Sequence, residues 1–301
     1  MKPPDLEKLR RSGFISATAR EHGKRMIRPG ARLADIAAEV ERVIRDMGGA
    51  PAFPAQLSRN HIAAHYCSPP GDDTEIQPDD IVKLDLGAHV DGYVTDNAVT
   101  VDLRDGPDSL LVAASRMALE NAISVMGPGA PITEIGNQVE STAKALGFNP
   151  VYNLTGHGVA RYVIHCAPSL PNYPDPKAGR LRPNQTIACE PFVCDGKGYI
   201  DAVGKPEVFM LRRAPRPKDR IPPEVQEALD ATDRLPFARR QILPFLKTDQ
   251  AVEAALKLLK RKGLLEEYPP LCEKPGVRVA QTEHTIFISE SGAEVLTLLP
   301  E

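Results

Sequence analysis

Hydrophobic residues recur at helical spacing in two stretches of the chain that resemble each other. Residues 26–51 read MIRPGARLADIAAEVERVIRDMGGAP, and residues 125–150 read VMGPGAPITEIGNQVESTAKALGFNP. Each stretch predicts an amphipathic helix that ends at glycine. At an offset of 99 residues the two share a Pro-Gly-Ala sequence before the helix and a Gly-x-x-Pro sequence after it. This repeat favours a duplicated α/β unit over chance similarity, and two such halves would enclose a cleft.

The remaining pattern predicts further helices and several strands. Helices are expected over about 5–27, with Asp5 as the candidate N-cap, and over about 108–126. Strand-like runs cover residues 81–89, 93–101, 160–165, 185–194 and 277–289. Together these elements predict an α+β fold whose sheet carries helices on its outer face.

The stretch from residue 208 to 267 interrupts this pattern. It opens with a basic, proline-rich run, continues with two or three helices, and ends in a short strand or wing. We therefore predict a discontinuous catalytic domain of residues 1–207 and 268–301, with residues 208–267 inserted as a winged-helix-like subdomain. The basic run is open to two interpretations, an RNA-binding surface or a solvated connecting loop. Its members are Arg212, Arg213, Arg216, Lys218 and Arg220.

Composition sets the limits on function. The 301 residues carry a net charge of −3, which gives no general attraction to nucleic acid or to acidic membranes. The five cysteines are scattered without zinc-finger spacing, as expected for reduced thiols in a cytoplasmic protein. No apolar run approaches membrane-spanning length.

Two aspartates lie in a predicted β-hairpin whose strands are joined by an Asp-Gly turn signal. If the loop is 91–92, Asp85 faces Ala98; if it is 90–91, Asp85 faces Asp96 directly. Either register puts both carboxylates on one sheet face, about 5–8 Å apart. Two like charges this close on a core-facing surface are costly unless a cation lies between them. The hairpin therefore indicates a metal site.

Three more ionisable residues occupy strands or strand edges. His157 is flanked by glycines, Glu190 ends an apolar strand, and Glu283 lies in a strand where alternation points it inward. Each alone has an ordinary interpretation as a packing or edge residue. As a set, four carboxylates and one imidazole match a site for two divalent ions.

With these motifs the chain resembles the methionine aminopeptidases of the pita-bread (creatinase/aminopeptidase) fold, in particular their type 2 subgroup in its archaeal form. The resemblance covers essentially the whole chain and implies two pseudo-twofold α/β halves. The helical insertion before Tyr268 is the mark of type 2. The matching motifs are Asn60-His-Ile-Ala-Ala-His65-Tyr, Lys83-Leu-Asp85-Leu-Gly, Asp96, Gly156-His157-Gly, Ile164-His165, Glu190-Pro-Phe192, Tyr268-Pro-Pro-Leu-Cys272 and Glu283-His284-Thr.

The resemblance implies a role for each matching residue. Asp96 and Glu283 would bridge two ions of Co, Mn, Fe(II) or Zn, and Asp85, His157 and Glu190 would complete their shells. Glu190 would also act as general base toward the attacking water. His165 would contact the scissile carbonyl and His65 the scissile amide. The pocket for the methionine side chain would be formed by Phe53, Ile164, Phe192 and Tyr268.

The predicted activity is removal of the initiator methionine from nascent proteins when the second residue is small. The resemblance further suggests a monomer, and a transient ribosome association stays open. Two alternatives remain: an X-Pro dipeptidase or aminopeptidase P-like enzyme, and a catalytically silent relative that binds RNA or the ribosome.

Overall fold

The computed structural model describes residues 1–300, which fold into helices surrounding several antiparallel sheets. The α-helices are α1 (Pro3–Met26), α2 (Leu33–Asp46), α3 (Leu110–Ser124), α4 (Ile132–Ala145), α5 (Pro223–Asp230), α6 (Arg239–Leu246) and α7 (Asp249–Arg261). The strands are β1 (Ala50–Pro51), β2 (Gln56–Arg59), β3 (Ile62–Ala64), β4 (Ile81–Val90), β5 (Tyr93–Asp102), β6 (Asn149–Pro150), β7 (Thr155–Ala160), β8 (Val163–Pro171), β9 (Gln185–Cys189), β10 (Phe192–Cys194), β11 (Asp201–Ala202), β12 (Val208–Leu211), β13 (Phe237–Ala238), β14 (Leu265–Tyr268), β15 (Leu271–Cys272), β16 (Val279–Gln281), β17 (His284–Ile288) and β18 (Ala293–Val295).

Two larger sheets form the centre of the fold. In the first, β4 pairs with β1, β2 and β5; in the second, the strand order is β18-β17-β9-β7-β8. Helices α1 and α2 cover the first sheet, and their apolar faces supply much of its buried core. Helices α3 and α4 pack against each other and bury their apolar faces against the second half. This is the α+β architecture that the sequence predicts.

The internal repeat has a structural counterpart in almost every detail. Helix α4 and strand β6 begin and end 99 residues after α2 and β1. Gly30 and Gly129 both have positive φ, 79° and 84°. Each donates its N–H across to a carbonyl, Gly30 to Ile76 at 2.9 Å and Gly129 to Leu181 at 2.8 Å. Two related α/β halves therefore form the body of the chain, as predicted.

The two halves differ at one pair of equivalent glutamates. Glu41 of α2 is almost completely buried and pairs with Arg240. Its counterpart Glu140 of α4 instead accepts a hydrogen bond from the Tyr152 hydroxyl at 2.9 Å. The repeated position has thus been put to different structural uses in the two copies.

Some predicted boundaries are wrong. The run 160–165 is not one strand, because the chain turns at residues 161–162 between β7 and β8, where the N–H of Tyr162 bonds to the carbonyl of Gly92. Helix α1 begins at Pro3 with Lys2 as its N-cap, so Asp5 lies in the first turn rather than at the cap. The predicted strands 185–194 and 277–289 are each interrupted, at 190–191 and at 282–283. Pro191, which lacks an N–H, accounts for the first break.

Residues 208–268 form a layer of their own. Strands β13, β12 and β14 make a three-stranded sheet, and helices α5, α6 and α7 enclose a core of buried residues against it. Two of the basic residues at its start are bonded locally. Arg213 pairs with Asp219 at 2.7 Å, and Arg212 donates to the carbonyl of Leu265. These contacts favour the connecting-loop interpretation of the run.

All five cysteines are unpaired, and four of them are buried. Helix α1 is long enough to cross a bilayer, at 24 residues, but it is polar. Within residues 1–300 no helix combines the length and the apolar character that a membrane span requires.

Candidate metal centre and substrate pocket

The β4–β5 hairpin places the two aspartates. Asp85 lies opposite Ala98 and Asp96 opposite Gly87, so the two-residue loop is 91–92, the first of the two registers considered above. The positive φ of Gly92, 83°, suits this turn. Both side chains line one cavity, Asp96 buried and Asp85 half-buried at its surface.

The other three candidate ligands come from the second half. His157 lies in β7, Glu190 follows β9, and Glu283 precedes β17. The His157 Nε2 atom is 3.7 Å from a carboxylate oxygen of Asp96 and 3.5 Å from one of Glu190. One ligating atom each of Asp96, His157 and Glu283 lies within 4.8 Å of the others. The structure thus brings the predicted set together from both halves.

A residue that the sequence did not single out lies at the centre of this set. The side-chain nitrogen of Gln281 lies 3.2 Å from a carboxylate oxygen of Asp85 and of Glu190 and 3.3 Å from one of Glu283, so its two hydrogens are shared among three acceptors. Gln281 is completely buried. Its only signal in the sequence is its position two residues before Glu283, on the same face of an extended segment. The amide links three carboxylates that would otherwise only repel one another.

The electrostatics of the cluster fit a bound cation. Burial is the main cause that raises the pKa of Asp85 to about 6, and it raises the pKa values of Asp96, Glu190 and Glu283 well above the usual range. Repulsion between the carboxylates adds to the shifts of the last three. Burial also lowers the pKa of His157 to about 3, which keeps the imidazole neutral and able to ligate.

Unpaired oxygens point the same way. Among residues 1–300, one carboxylate oxygen each of Asp85, Asp96 and Glu283 is buried without a hydrogen-bond partner. Buried polar atoms are rarely left unpaired. Oxygen-rich carboxylate sites with an imidazole suit divalent cations, so these five residues fit the metal site that the sequence predicts.

The cluster opens into a cavity of about 290 Å³. The four predicted pocket residues all line it: Phe53, Ile164, Phe192 and Tyr268. So do His65 and His165, whose rings lie 5.5 and 6.2 Å from that of Tyr268. Of the predicted site residues, only Glu283 lies behind the cavity surface, at 1% exposure. The arrangement joins an apolar pocket to a cluster of carboxylates.

Residues 208–267 also contribute to this pocket, which the sequence did not reveal. Val208 and Pro236 line the cavity, and Leu235 packs with Phe53 and Ile164 in one buried cluster. Two consecutive non-glycine residues before it, 233 and 234, have positive φ of 52° and 63°. Such backbone costs about 1–3 kcal/mol per residue and persists only where the surroundings enforce it. The turn at 233–234 thus positions Leu235 and Pro236 at one side of the pocket.

The backbone of Asp96 is held by a threonine of the neighbouring strand. The Thr285 hydroxyl accepts from the N–H of Asp96 and donates to its carbonyl, both at 2.7 Å. In Thr285→Val both bonds are lost and a buried N–H is left without an acceptor. We expect the free energy of unfolding to fall by about 1–3 kcal/mol in urea titrations, and metal affinity to fall about 10–100-fold by calorimetry.

Thr18→Val is the matched control, because among residues 1–300 the Thr18 hydroxyl bonds to one group, a carbonyl of its own helix. Its expected effect is under about 0.5 kcal/mol, with metal affinity unchanged. Equal effects of the two variants on metal affinity would contradict the role given to Thr285.

Comparison with known proteins places the chain in a family. A model of metallopeptidase family M24 matches residues 7–215. The chain belongs to metallopeptidase family M24. It is 40% identical over 295 residues to a methionine aminopeptidase of Thermococcus onnurineus, covering 97% of this chain and 99% of the relative. It is 38% identical over 299 residues to that of Methanothermobacter thermautotrophicus, covering 97% and 98%.

Solved structures of M24 proteins agree on the fold. A methionine aminopeptidase of Thermotoga maritima superimposes with a TM-score of 0.72 at 25% identity, over 99% of this chain and 98% of that one. A prolidase of Pyrococcus furiosus gives 0.63 at 18% identity, over all of this chain and 65% of that one. The resemblance to pita-bread metallopeptidases is therefore confirmed. Family membership and the carboxylate cluster agree on metal binding.

Proposed function

We propose that this M24 protein removes an N-terminal methionine from peptides and nascent proteins when the second residue is small. One observation carries the proposal: a set of five side chains that fits a cation opens directly into a mostly apolar pocket. A pocket with aromatic walls suits a flexible thioether side chain. The similarity to methionine aminopeptidases over nearly the whole chain supports the same substrate.

We propose that Asp85, Asp96, His157, Glu190 and Glu283 hold two divalent ions, whose identity among Co, Mn, Fe(II) and Zn is left to measurement. When bound, such ions lower the pKa of water and polarise a carbonyl. Four carboxylates would nearly neutralise two dications. That balance supports two ions rather than one.

The protein's own groups would perform the proton and positioning steps. Glu190 lies at the cavity edge within reach of His157 and would take the proton of the attacking water and pass it to the leaving amine. His165 would donate to the oxygen of the scissile carbonyl as charge develops there, a contribution of about 10²–10³ in rate. His65 would contact the scissile amide. Burial lowers the pKa of His65 to about 4, which leaves the ring neutral.

We further propose that the protein acts as a monomer in the cytoplasm, with any ribosome contact transient. The division into residues 1–207 and 268–301 with an inserted 208–267 stays our prediction. The contact of Leu235 with the pocket implies that the insert serves catalysis as well as structure.

A two-substrate assay tests the proposed function. We expect metal-loaded protein to release methionine from Met-Ala-Ser and to leave Ala-Pro peptides uncut. Because His157 is a proposed ligand, His157→Ala should abolish turnover. Cleavage of the proline peptide alone would indicate the X-Pro alternative. Steeply salt-dependent RNA binding without any turnover would indicate the silent relative.

A further inference from the structure

His65 has a strained backbone at the mouth of the candidate metal centre. Its φ is 68°, in the left-handed region that non-glycine residues rarely adopt. It follows β3 directly, and β3 lies beside β2, from which it is separated by a two-residue turn. Strain of this kind is retained where the surrounding structure holds the residue in place. The structure must therefore contain a group that fixes His65.

That group is the side chain of Gln56. Its Oε1 atom accepts a hydrogen bond from the His65 N–H at 2.9 Å. The next residue along, Tyr66, pairs normally, since its carbonyl accepts from the N–H of Leu57 at 3.1 Å. A side-chain oxygen thus accepts the N–H of His65 at a position where the backbone has left the strand conformation.

Gln56 is itself fixed by its place in the fold. It lies in β2 opposite Asp85 of β4, is 6% exposed, and lines the cavity. A polar side chain in a largely apolar pocket costs free energy unless it is hydrogen-bonded. Within residues 1–300 its amide has one hydrogen-bond partner, the N–H of His65.

The ring of His65 depends on this anchor. Its Nδ1 atom is buried without a hydrogen-bond partner among the described residues, and the ring meets Tyr268 edge-on. The orientation of the imidazole therefore follows from the backbone at residue 65, from that aromatic contact and from the nearby backbone carbonyl of Pro269. A change of φ at this residue would swing the ring away from the cavity.

We infer that Gln56 is a positioning residue for His65, and that it holds the imidazole where the substrate's scissile amide would lie. The role of His65 in this inference rests on the proposed function. The hydrogen bond from the His65 N–H to Gln56 does not depend on it. The amide supplies one acceptor to a strained backbone, and the effect on chemistry passes through His65 alone.

The test compares Gln56→Met with Ser58→Ala. Methionine keeps the length and volume of glutamine and removes the acceptor. Ser58 is the matched control, because it lies in the same strand, β2, and its hydroxyl accepts from the N–H of Tyr66 at 3.3 Å, but it does not line the cavity. We expect kcat/KM for Met-Ala-Ser to fall about tenfold or more in Gln56→Met, since small misplacements of catalytic groups are costly. Ser58→Ala should stay within about twofold.

A double-mutant cycle separates positioning from general damage. In a His65→Ala background, Gln56→Met should lower kcat/KM no further, and the bound metal content should match the parent's in every variant. A Gln56→Met protein within twofold of the unaltered one, or an equal fall in the His65→Ala background, would overturn the inference. If the unaltered protein releases no methionine, the proposed function fails instead. A crystal structure of Gln56→Met then decides the inference, which is overturned by an unchanged φ at His65 and supported by a changed one.

Discussion

Asp96→Ala is expected to lose both metal ions and essentially all peptidase activity, whereas Asp85→Ala retains one ion. Ligating atoms of Asp96, His157 and Glu283 lie within 4.8 Å of one another, so the Asp96 carboxylate is placed to share an ion with both. Asp85 lies beside Asp96 and the amide of Gln281 but is not one of the three residues whose ligating atoms cluster within 4.8 Å. Loss of the shared ligand should lower kcat by roughly 10³-fold or more, since bound ions supply several kcal/mol of transition-state stabilisation.

Metal content measured by elemental analysis, with activity on Met-Ala-Ser, checks this prediction. Asp91→Ala is a suitable control, because Asp91 is an exposed aspartate of the same hairpin whose carboxylate pairs with Lys8. It should keep two ions and normal turnover. An Asp96→Ala protein that kept two ions and full activity would refute the ligand assignment, while its fold would stay established.

Arg240→Met is expected to destabilise the protein by about 3 kcal/mol. The Arg240 guanidinium donates to both carboxylate oxygens of Glu41, whose side chain is 3% exposed. Removing one partner of a buried pair leaves the other charge uncompensated, at a cost of about 3–5 kcal/mol. The lower end applies because the Arg240 side chain is 21% exposed. The midpoint of urea unfolding measures the change.

Two variants make this result specific. Arg45 contacts the same carboxylate from the solvent side, at 53% exposure, so Arg45→Met should cost under about 1 kcal/mol. Adding Glu41→Gln to Arg240→Met should restore part of the stability. The neutral amide removes the unpaired charge and keeps an acceptor for the N–H of Ala55, 3.0 Å away in the parent protein. Equal costs for Arg45→Met and Arg240→Met would contradict the prediction.

The same pair matters for the pocket. Ala55 follows the pocket residue Phe53 by two positions, and Arg240 lies in α6, beyond the strained turn that ends at Leu235. Glu41 therefore connects the segment that carries the pocket residue Phe53 to helix α6 of the 208–268 layer, and these two segments flank the cavity. We expect Arg240→Met to raise KM for methionyl peptides as well.

Local chemistry made much of the fold predictable. The helices of the two repeats follow from their apolar spacing, and the β4–β5 hairpin follows from its Asp-Gly turn. The candidate ligand residues were noticeable in the sequence for another reason. Charged side chains inside apolar strands, such as Asp85 and Asp96, conflict with their surroundings unless they serve a site. Such conflicts are visible in sequence.

The turn between β7 and β8 was not predictable, because a contact between hairpins sets it. Tyr162 takes a φ of 55° without glycine, and its ring packs where a Cβ on Gly92 would lie only 2.3 Å away. The guanidinium of Arg161 stacks over Tyr93 and Tyr162. Tertiary contacts here override the local signal for a continuous strand.

Uncharged supports were missed for a similar reason. Gln281, Thr285 and Gln56 are of types that occur throughout any soluble chain, and neither periodicity nor spacing distinguishes them. Their roles depend on which ligand or backbone group each one meets across the sheet. Only the folded arrangement reveals that.

The divergence of Glu41 and Glu140 bears on how such a chain could have arisen. The matching hydrogen bonds at Gly30 and Gly129 indicate one ancestral half, and two identical copies around a twofold axis would already enclose a cleft. Fusion of the copies removes the symmetry requirement, so each can change alone. One glutamate could then be recruited to anchor an insertion, while its twin kept a local contact. A peptide has two different ends, so a cleft that binds it must have two different sides. Fusion of the copies allows the two sides to differ.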